Sequence, residues 1–242
     1  MIYITGDIHQ NYDIWKFDNV EFKKDDILII CGDFGWIWTH DTLTRAVQYE
    51  RKYLKSFIRK LNCYVLFADG NHENFDRLND TYTFPVSKKW GGNVQKICDK
   101  CYHLMRGESY NINGKTFLVL GGAESHDKFR RIPKMSWWEQ ETISDDDLKN
   151  VLSHTNNIDC VITHCCPTSL LVELYKARII DDFCGNPSTN QLQILQERLD
   201  KNEKPYKWFF GHYHSDREFL VNNNRYYLLY DRIYCLDTDT YL

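Results

Sequence analysis

The chain has 242 residues, 43% of them hydrophobic, and a formal net charge of −4. That length can bury a sizeable core, and the charge argues against broad electrostatic attraction to nucleic acid or to an anionic membrane. No apolar run approaches the ~20 residues of a membrane span and no basic, apolar leader opens the chain, so a cytoplasmic protein without membrane association or an evident obligate protein partner is expected. The nine cysteines are an odd count, and several, such as Cys31 and Cys160, sit inside apolar runs as small hydrophobes; both facts favour a reducing compartment. Cys98 and Cys101 have C-x-x-C spacing, but no second such pair exists to complete a zinc site, so two free thiols in a loop are expected.

In chain order, short β-branched or aromatic runs predict strands over Ile2–Thr5, Ile27–Cys31, Cys63–Ala68, Thr116–Leu120, Asp159–Thr163 and Lys207–Phe210. Their continuity points to strands buried on both faces and covered by helices. Helices are predicted over Asp41–Leu61, from an N-cap at Ser144 to about His154, and over Ser188–Leu199. The final segments Glu218–Val221, Arg225–Tyr230 and Ile233–Leu236 read as an antiparallel meander with a turn at Asn222-Asn223-Asn224. Residues 80–108 and 121–141 show no clear period and are expected as loop insertions over a site within one domain spanning residues 1–242. Alternating strands and helices followed by hairpins suggest an α/β layered fold with mixed sheets.

Five short blocks follow predicted strands in a fixed order: Gly6-Asp7-Ile8-His9, Gly32-Asp33, Gly70-Asn71-His72-Glu73, Thr163-His164 and Gly211-His212-Tyr213-His214. Sites in open α/β sheets form beyond the carboxyl ends of strands, so these residues can converge. Nitrogen and oxygen donors gathered there suit a pair of metal ions. In order and spacing the blocks resemble the calcineurin-like metallophosphoesterase family, with its D-x-H, G-D, G-N-H-[ED], single His and G-H-x-H pattern, from Asp7 to His214. The resemblance implies a four-layer α/β/β/α sandwich of two mixed sheets with a dinuclear metal site at the carboxyl ends of strands. It implies Asp7, His9 and His214 around one metal, Asn71, His164 and His212 around the other, and Asp33 bridging. It further implies a metal-bridging hydroxide as nucleophile and His72 as general acid. The donor set admits manganese, the first expectation in vitro, and also iron, zinc, cobalt or nickel.

The chain departs from the phosphoprotein phosphatases of that family. Trp36 stands where the acid that orients the catalytic histidine would be, and Ile37 and Asp69 stand where two phosphate-binding arginines would be. Without a two-arginine clamp a dianionic monoester is harder to hold, which leans the expected substrate towards a phosphodiester or nucleotide over a phosphomonoester or phosphoprotein. Arg130 and Arg131 are the candidate substitutes, and Trp137 and Trp138 the candidate base-stacking surfaces, each weighed against a basic surface turn and an apolar loop anchor. The Gly121-Gly122-Ala123, Asp127-Lys128 and Trp137-Trp138 arrangement resembles that of bacterial and phage phosphoesterases. A non-catalytic scaffold on the same fold is disfavoured, because all seven ligand positions and His72 are present.

Overall fold

The computed structural model describes residues 1–202 and 204–242. Three apolar runs form the parallel strands β1 (Ile2–Thr5), β2 (Ile27–Cys31) and β3 (Tyr64–Ala68), almost wholly buried as their unbroken hydrophobicity requires. Between the second and third lies α1 (Thr44–Leu61), whose Leu54, Phe57, Ile58 and Leu61 face the sheet and which ends on Asn62 in the left-handed conformation. A short α2 (Phe75–Leu78) follows, capped by the Asn74 side chain.

The stretch expected as a loop near 80–108 instead forms β4 (Val86–Lys89), β5 (Gly92–Cys98) and β6 (Cys101–Leu104), which extend the first sheet. The apolar alternation is masked there by two buried polar residues, Gln95 and His103, which satisfy each other. His103 Nδ1 lies 2.8 Å from Gln95 Oε1, and Gln95 Nε2 donates to the Leu78 carbonyl at 2.8 Å. His103 is therefore a buried hydrogen-bonding residue of the core. Cys98 and Cys101 are free thiols as expected, but they face each other across the β5–β6 hairpin and not in a loop.

The second sheet is built from β7 (Ser109–Ile112), β8 (Lys115–Leu120), β9 (Cys160–Thr163), β10 (Lys207–Phe210), β11 (Arg217–Val221) and β12 (Asn224–Leu228). Strands β8, β9, β10 and β12 run parallel, and β11 and β12 form an antiparallel hairpin. The expected meander stops there, because β13 (Tyr234–Cys235) and β14 (Thr240–Tyr241) cross to the first sheet, where β13 pairs with β1. Strand orders are β14-β13-β1-β2-β3-β6-β5-β4 and β11-β12-β10-β9-β8-β7.

Helices α3 (Asp145–Leu152), α4 (Thr168–Lys176) and α5 (Pro187–Leu199) cover the outer face of the second sheet. Ser144 caps α3 through a reciprocal box with Asp147. Helix α4 lacks a side-chain cap and begins after Pro167, so its only sequence signal was the apolar set Leu170, Leu171 and Leu174. One apolar cluster joins the first sheet to α1, one fills the space between the sheets, and one joins the second sheet to its helices. These three interfaces make an α/β/β/α sandwich of two mixed sheets. Among the described residues no helix is long and apolar enough to cross a membrane.

One buried ion pair ties this frame to the third polar block. Asp69, at the end of β3, accepts from Arg106 Nε at 2.8 Å and from Nη2 at 2.5 Å, while His103 Nε2 lies 3.1 Å away. Burial alone would raise the Asp69 carboxyl, but Arg106, with help from His103, holds it well below the usual carboxylate range. A carboxylate whose folded pKa is depressed contributes stability that is present above its unfolded pKa of about 4 and is lost as pH falls towards the folded value. Arg106→Met should therefore lower stability at neutral pH by roughly 3–5 kcal/mol in urea unfolding. It should also flatten the acid-side loss of stability seen in the wild type; unchanged stability and an unchanged acid limb would contradict this account.

Candidate metal centre

Parallel strands in both sheets end at the same edge, and each polar block sits just past one of them. Asp7 follows β1, Asp33 follows β2, Asn71 follows β3, His164 follows β9, and His212 and His214 follow β10. The backbone there is unusual, for His9, Asp33, His212 and His214 all have positive φ, of 39°, 48°, 70° and 45°. Non-glycine residues adopt this conformation uncommonly, histidine and aspartate more readily than most, and four of them meet at this one edge. A Cβ on Gly211 would overlap the Asp7 carboxylate, and one on Gly32 would overlap the His164 ring. Glycine at these positions is what lets the side chains of one sheet approach the backbone of the other.

Asp33 is the centre of the arrangement. Its Oδ1 accepts from the backbone N–H groups of Asn71 and His72, both at 2.8 Å, and lies 3.1 Å from His164 Nε2. Its Oδ2 lies 3.1 Å from His9 Nε2. One oxygen thus faces His164 and the Asn71 block, and the other faces His9. Asp7 accepts from the His212 N–H on Oδ1 at 2.9 Å, while its buried Oδ2 has no hydrogen-bond donor of suitable geometry among the described residues, although His214 Nε2 is 3.1 Å away. Asn71 Oδ1 is 3.1 Å from His164 Nε2, and the His212 ring packs edge-on against His164. Donor atoms of Asp7, His9 and His214, and those of Asp7, Asp33 and His164, lie within 4.8 Å of one another.

The electrostatics call for cations. Burial disfavours charge on Asp7, Asp33, His9 and His164, yet Asp33 stays far below the usual carboxylate range and Asp7 below it, chiefly through His164. In return the two carboxylates overcome burial to push His9 up to about 9 and His164 up to about 10. His212 is driven well below its ordinary value by burial and by His164, so it is a neutral nitrogen donor. Buried carboxylates that pull protons onto adjoining imidazoles, with one carboxylate oxygen left undonated, mark a place where positive charge belongs, and nitrogen and oxygen donors of this kind fit transition metals.

Several supporting residues had no clear signal in the sequence. Asp13 Oδ2 sits 2.6 Å from His9 Nδ1, and its other oxygen accepts from the Tyr230 hydroxyl at 3.0 Å, so it orients His9 from behind. An acid four residues after a candidate histidine ligand was the available clue. His164 Nδ1 donates to the Cys31 carbonyl at 2.8 Å, which leaves Nε2 as its free donor atom. Lys16, buried, donates to the carbonyls of Asp7 and Tyr230 and so ties the β1 turn to the C-terminal loop. Glu73 accepts from the N–H groups of Phe34 and Gly70, each at 2.8 Å, clasping the second block to the third.

His72 projects to the same edge, stacked on Trp38 with ring centroids 5.5 Å apart. Burial lowers its pKa, and His9 and Arg131 add to that against the pull of Asp33. The loop of residues 121–141 does lie over the site. Arg131, steered by Asp127 at 2.6 Å, places Nη2 3.0 Å from His72 Nε2. The three other candidates from this loop are not brought to the centre in that way. Arg130 is exposed and lies over Phe129. Trp137 donates to Glu141 at 2.7 Å and carries Lys128 over its ring. Trp138 is only 2% exposed and donates to Asp76, so it anchors the loop in the core and offers no face for stacking.

A family model described as calcineurin-like phosphoesterase matches residues 1–216. No curated protein matches the chain. Solved structures of similar shape include TT1561 of Thermus thermophilus, at 8% identity and a TM-score of 0.51, covering 100% of this chain and 96% of the other. A further crystal structure aligns at 12% identity with a TM-score of 0.57 over 100% and 96% of the two chains. The phosphopantetheinyl hydrolase PptH from Mycobacterium tuberculosis aligns at 14% identity over 95% and 89% of the two chains, with a TM-score of 0.46. The two likenesses with TM-scores above 0.5 speak to the fold, and the family match, taken with the donor cluster at the strand ends, identifies the chain as a member of the calcineurin-like phosphoesterases.

Proposed function

We propose that this centre hydrolyses phosphate esters with two divalent transition metals, one held by Asp7, His9 and His214, the other by Asn71, His164 and His212, with Asp33 shared. The observation that carries the reading is the Asp33 carboxylate, whose two oxygens face the two donor sets separately. Manganese is the first choice for reconstitution, and the same donors accept iron, zinc, cobalt or nickel. When bound, such a pair supplies Lewis acidity and a water of lowered pKa.

The chain's own residues supply binding and proton transfer. Arg131 offers a guanidinium at the edge of the centre, held by Asp127 in a fixed direction, and takes a phosphoryl oxygen. His72 delivers a proton to the leaving oxygen from Nε2, the atom that Arg131 now approaches. An arriving phosphoryl anion draws the guanidinium to itself, which removes its opposition to a protonated His72. Asp13 and the Cys31 carbonyl hold His9 and His164 in the tautomers that leave Nε2 free. One guanidinium in place of two suits a singly charged phosphodiester or a nucleotide ester better than a dianionic monoester.

Asp33→Asn should lose bound manganese and turnover together, and a metal-saturated variant with full activity would sink the assignment. His72→Asn should keep its metal and slow esters with poor leaving groups by roughly 10²–10⁴-fold, with much less effect on p-nitrophenyl esters. Equal losses across leaving groups would remove its acid role. Arg131→Ala should weaken kcat/KM by about 10–100-fold, the worth of a charge-assisted hydrogen bond, without loss of metal.

A further inference from the structure

Adjoining the candidate centre, and sharing His9, His72 and His214 with it, lies a cleft of about 330 Å³. One side of it is the histidine edge, His9, His72 and His214, and the other residues lining it are the aromatic Tyr12, Trp38 and Tyr230 together with Gln10, Asp13 and Gly35. The rings are arranged in order. His9 stands edge-on between His72 and His214, with centroids 4.8 and 5.0 Å away. Trp38 lies nearly parallel to His72 on one flank and Tyr230 nearly parallel to His214 on the other, at interplanar angles of 24° and 20°. Trp38 is braced by the buried Trp138, and Tyr230 by its bond to Asp13, so both walls are set before any ligand arrives. Tyr12 is 79% exposed, a large amphipathic ring presented to solvent at the mouth.

The charge of this cleft limits what enters it. Among the described residues no lysine or arginine lines it, and the carboxylate that does, Asp13, is committed to His9 and Tyr230. The aromatic walls offer a second phosphate no hydrogen-bond donor, Lys16 lying behind Tyr230 with its ammonium committed to backbone carbonyls, while a flat, neutral ring gains stacking contact. The cation that receives phosphate, Arg131, sits at His72 on the centre's side. A ligand spanning both places therefore has a phosphoryl end and a planar uncharged end.

We infer that this cleft holds the base of a nucleoside phosphate, stacked among Tyr12, Trp38 and Tyr230 while its phosphoryl group lies at the histidine edge. The inference rests on the phosphate-ester reading of the adjoining centre and names its substrate class. Calorimetry on the manganese-loaded protein should find the methyl ester of adenosine 5′-monophosphate, a singly charged diester, bound about tenfold or more tightly than the methyl ester of ribose 5-phosphate, which has the same charge and a hydroxyl where the nucleotide has its base. Tyr12→Ala, at an exposed position that the core does not need, should bring the ratio towards one, and Tyr12→Phe should preserve it. Equal affinities, no binding of the nucleotide, or a ratio untouched by Tyr12→Ala would overturn the cleft assignment even if bis-p-nitrophenyl phosphate is turned over in the same samples. A base-dependent affinity that Tyr12→Ala abolishes, without turnover of any ester, would uphold the cleft and overturn the hydrolytic reading instead.

Discussion

The Asp33 carboxylate is the point at which the two sheets meet. It leaves the first sheet at β2 with a positive φ, reaches His9 from that sheet with one oxygen, and reaches His164 from the second sheet with the other. Such a group cannot be buried on its own, because an unpaired charge in a dry interior is costly. Its position therefore forces others: donors from the Asn71 and His72 backbone, imidazoles on both sides, and a glycine at position 32 that leaves room for the His164 ring. The left-handed turns of His9, His212 and His214 belong to the same constraint, being uncommon conformations gathered at the crowded edge.

Around that centre the fold acts as a rigid frame. Each sheet contributes parallel strands whose carboxyl ends point one way, and three apolar clusters lock the four layers. The polar supports are buried and reciprocal. Asp69 with Arg106 and His103 anchors the third block from below, Glu73 clasps it to the second, Asp13 orients His9, and Lys16 ties the first turn to Tyr230. A centre held in this way needs little rearrangement to receive cations or substrate, which is the condition for electrostatic catalysis.

Asp69 shows how one departure from the family pattern is absorbed. An acid stands where the phosphoprotein phosphatases place an arginine, and it faces inward to Arg106, so that position presents an internal ion pair to the frame and not a cation to substrate. The guanidinium near His72 comes instead from Arg131, on the loop after β8. Trp36, at the place of the orienting acid, is buried and stacked on Phe57, while Trp38, two residues on, lies against His72. At the second block, then, the polar position has become part of the apolar core through Trp36, while Trp38 supplies one wall of the cleft beside the centre.

Much of this was legible in the residues alone. Continuous apolar strands, the long amphipathic α1, the cap at Ser144 and the donor blocks are local patterns, set by chain neighbours and by the geometry of helix and strand, so position along the sequence was enough to find them. Residues whose roles depend on distant partners were not legible. Gln95 and His103 looked like loop residues because their polarity is cancelled only by each other and by Asp69. Trp138 and Trp137 could not be told from stacking surfaces until one proved to be in the core and the other bonded to Glu141. Arg131 was indistinguishable from Arg130 until the loop closed over His72, and β13 left the expected meander because its partner is β1, at the opposite end of the chain. The sequence by itself determined which donors exist and which strands carry them; only the tertiary structure decided which of those donors meet, because convergence depends on long-range packing that no local pattern encodes.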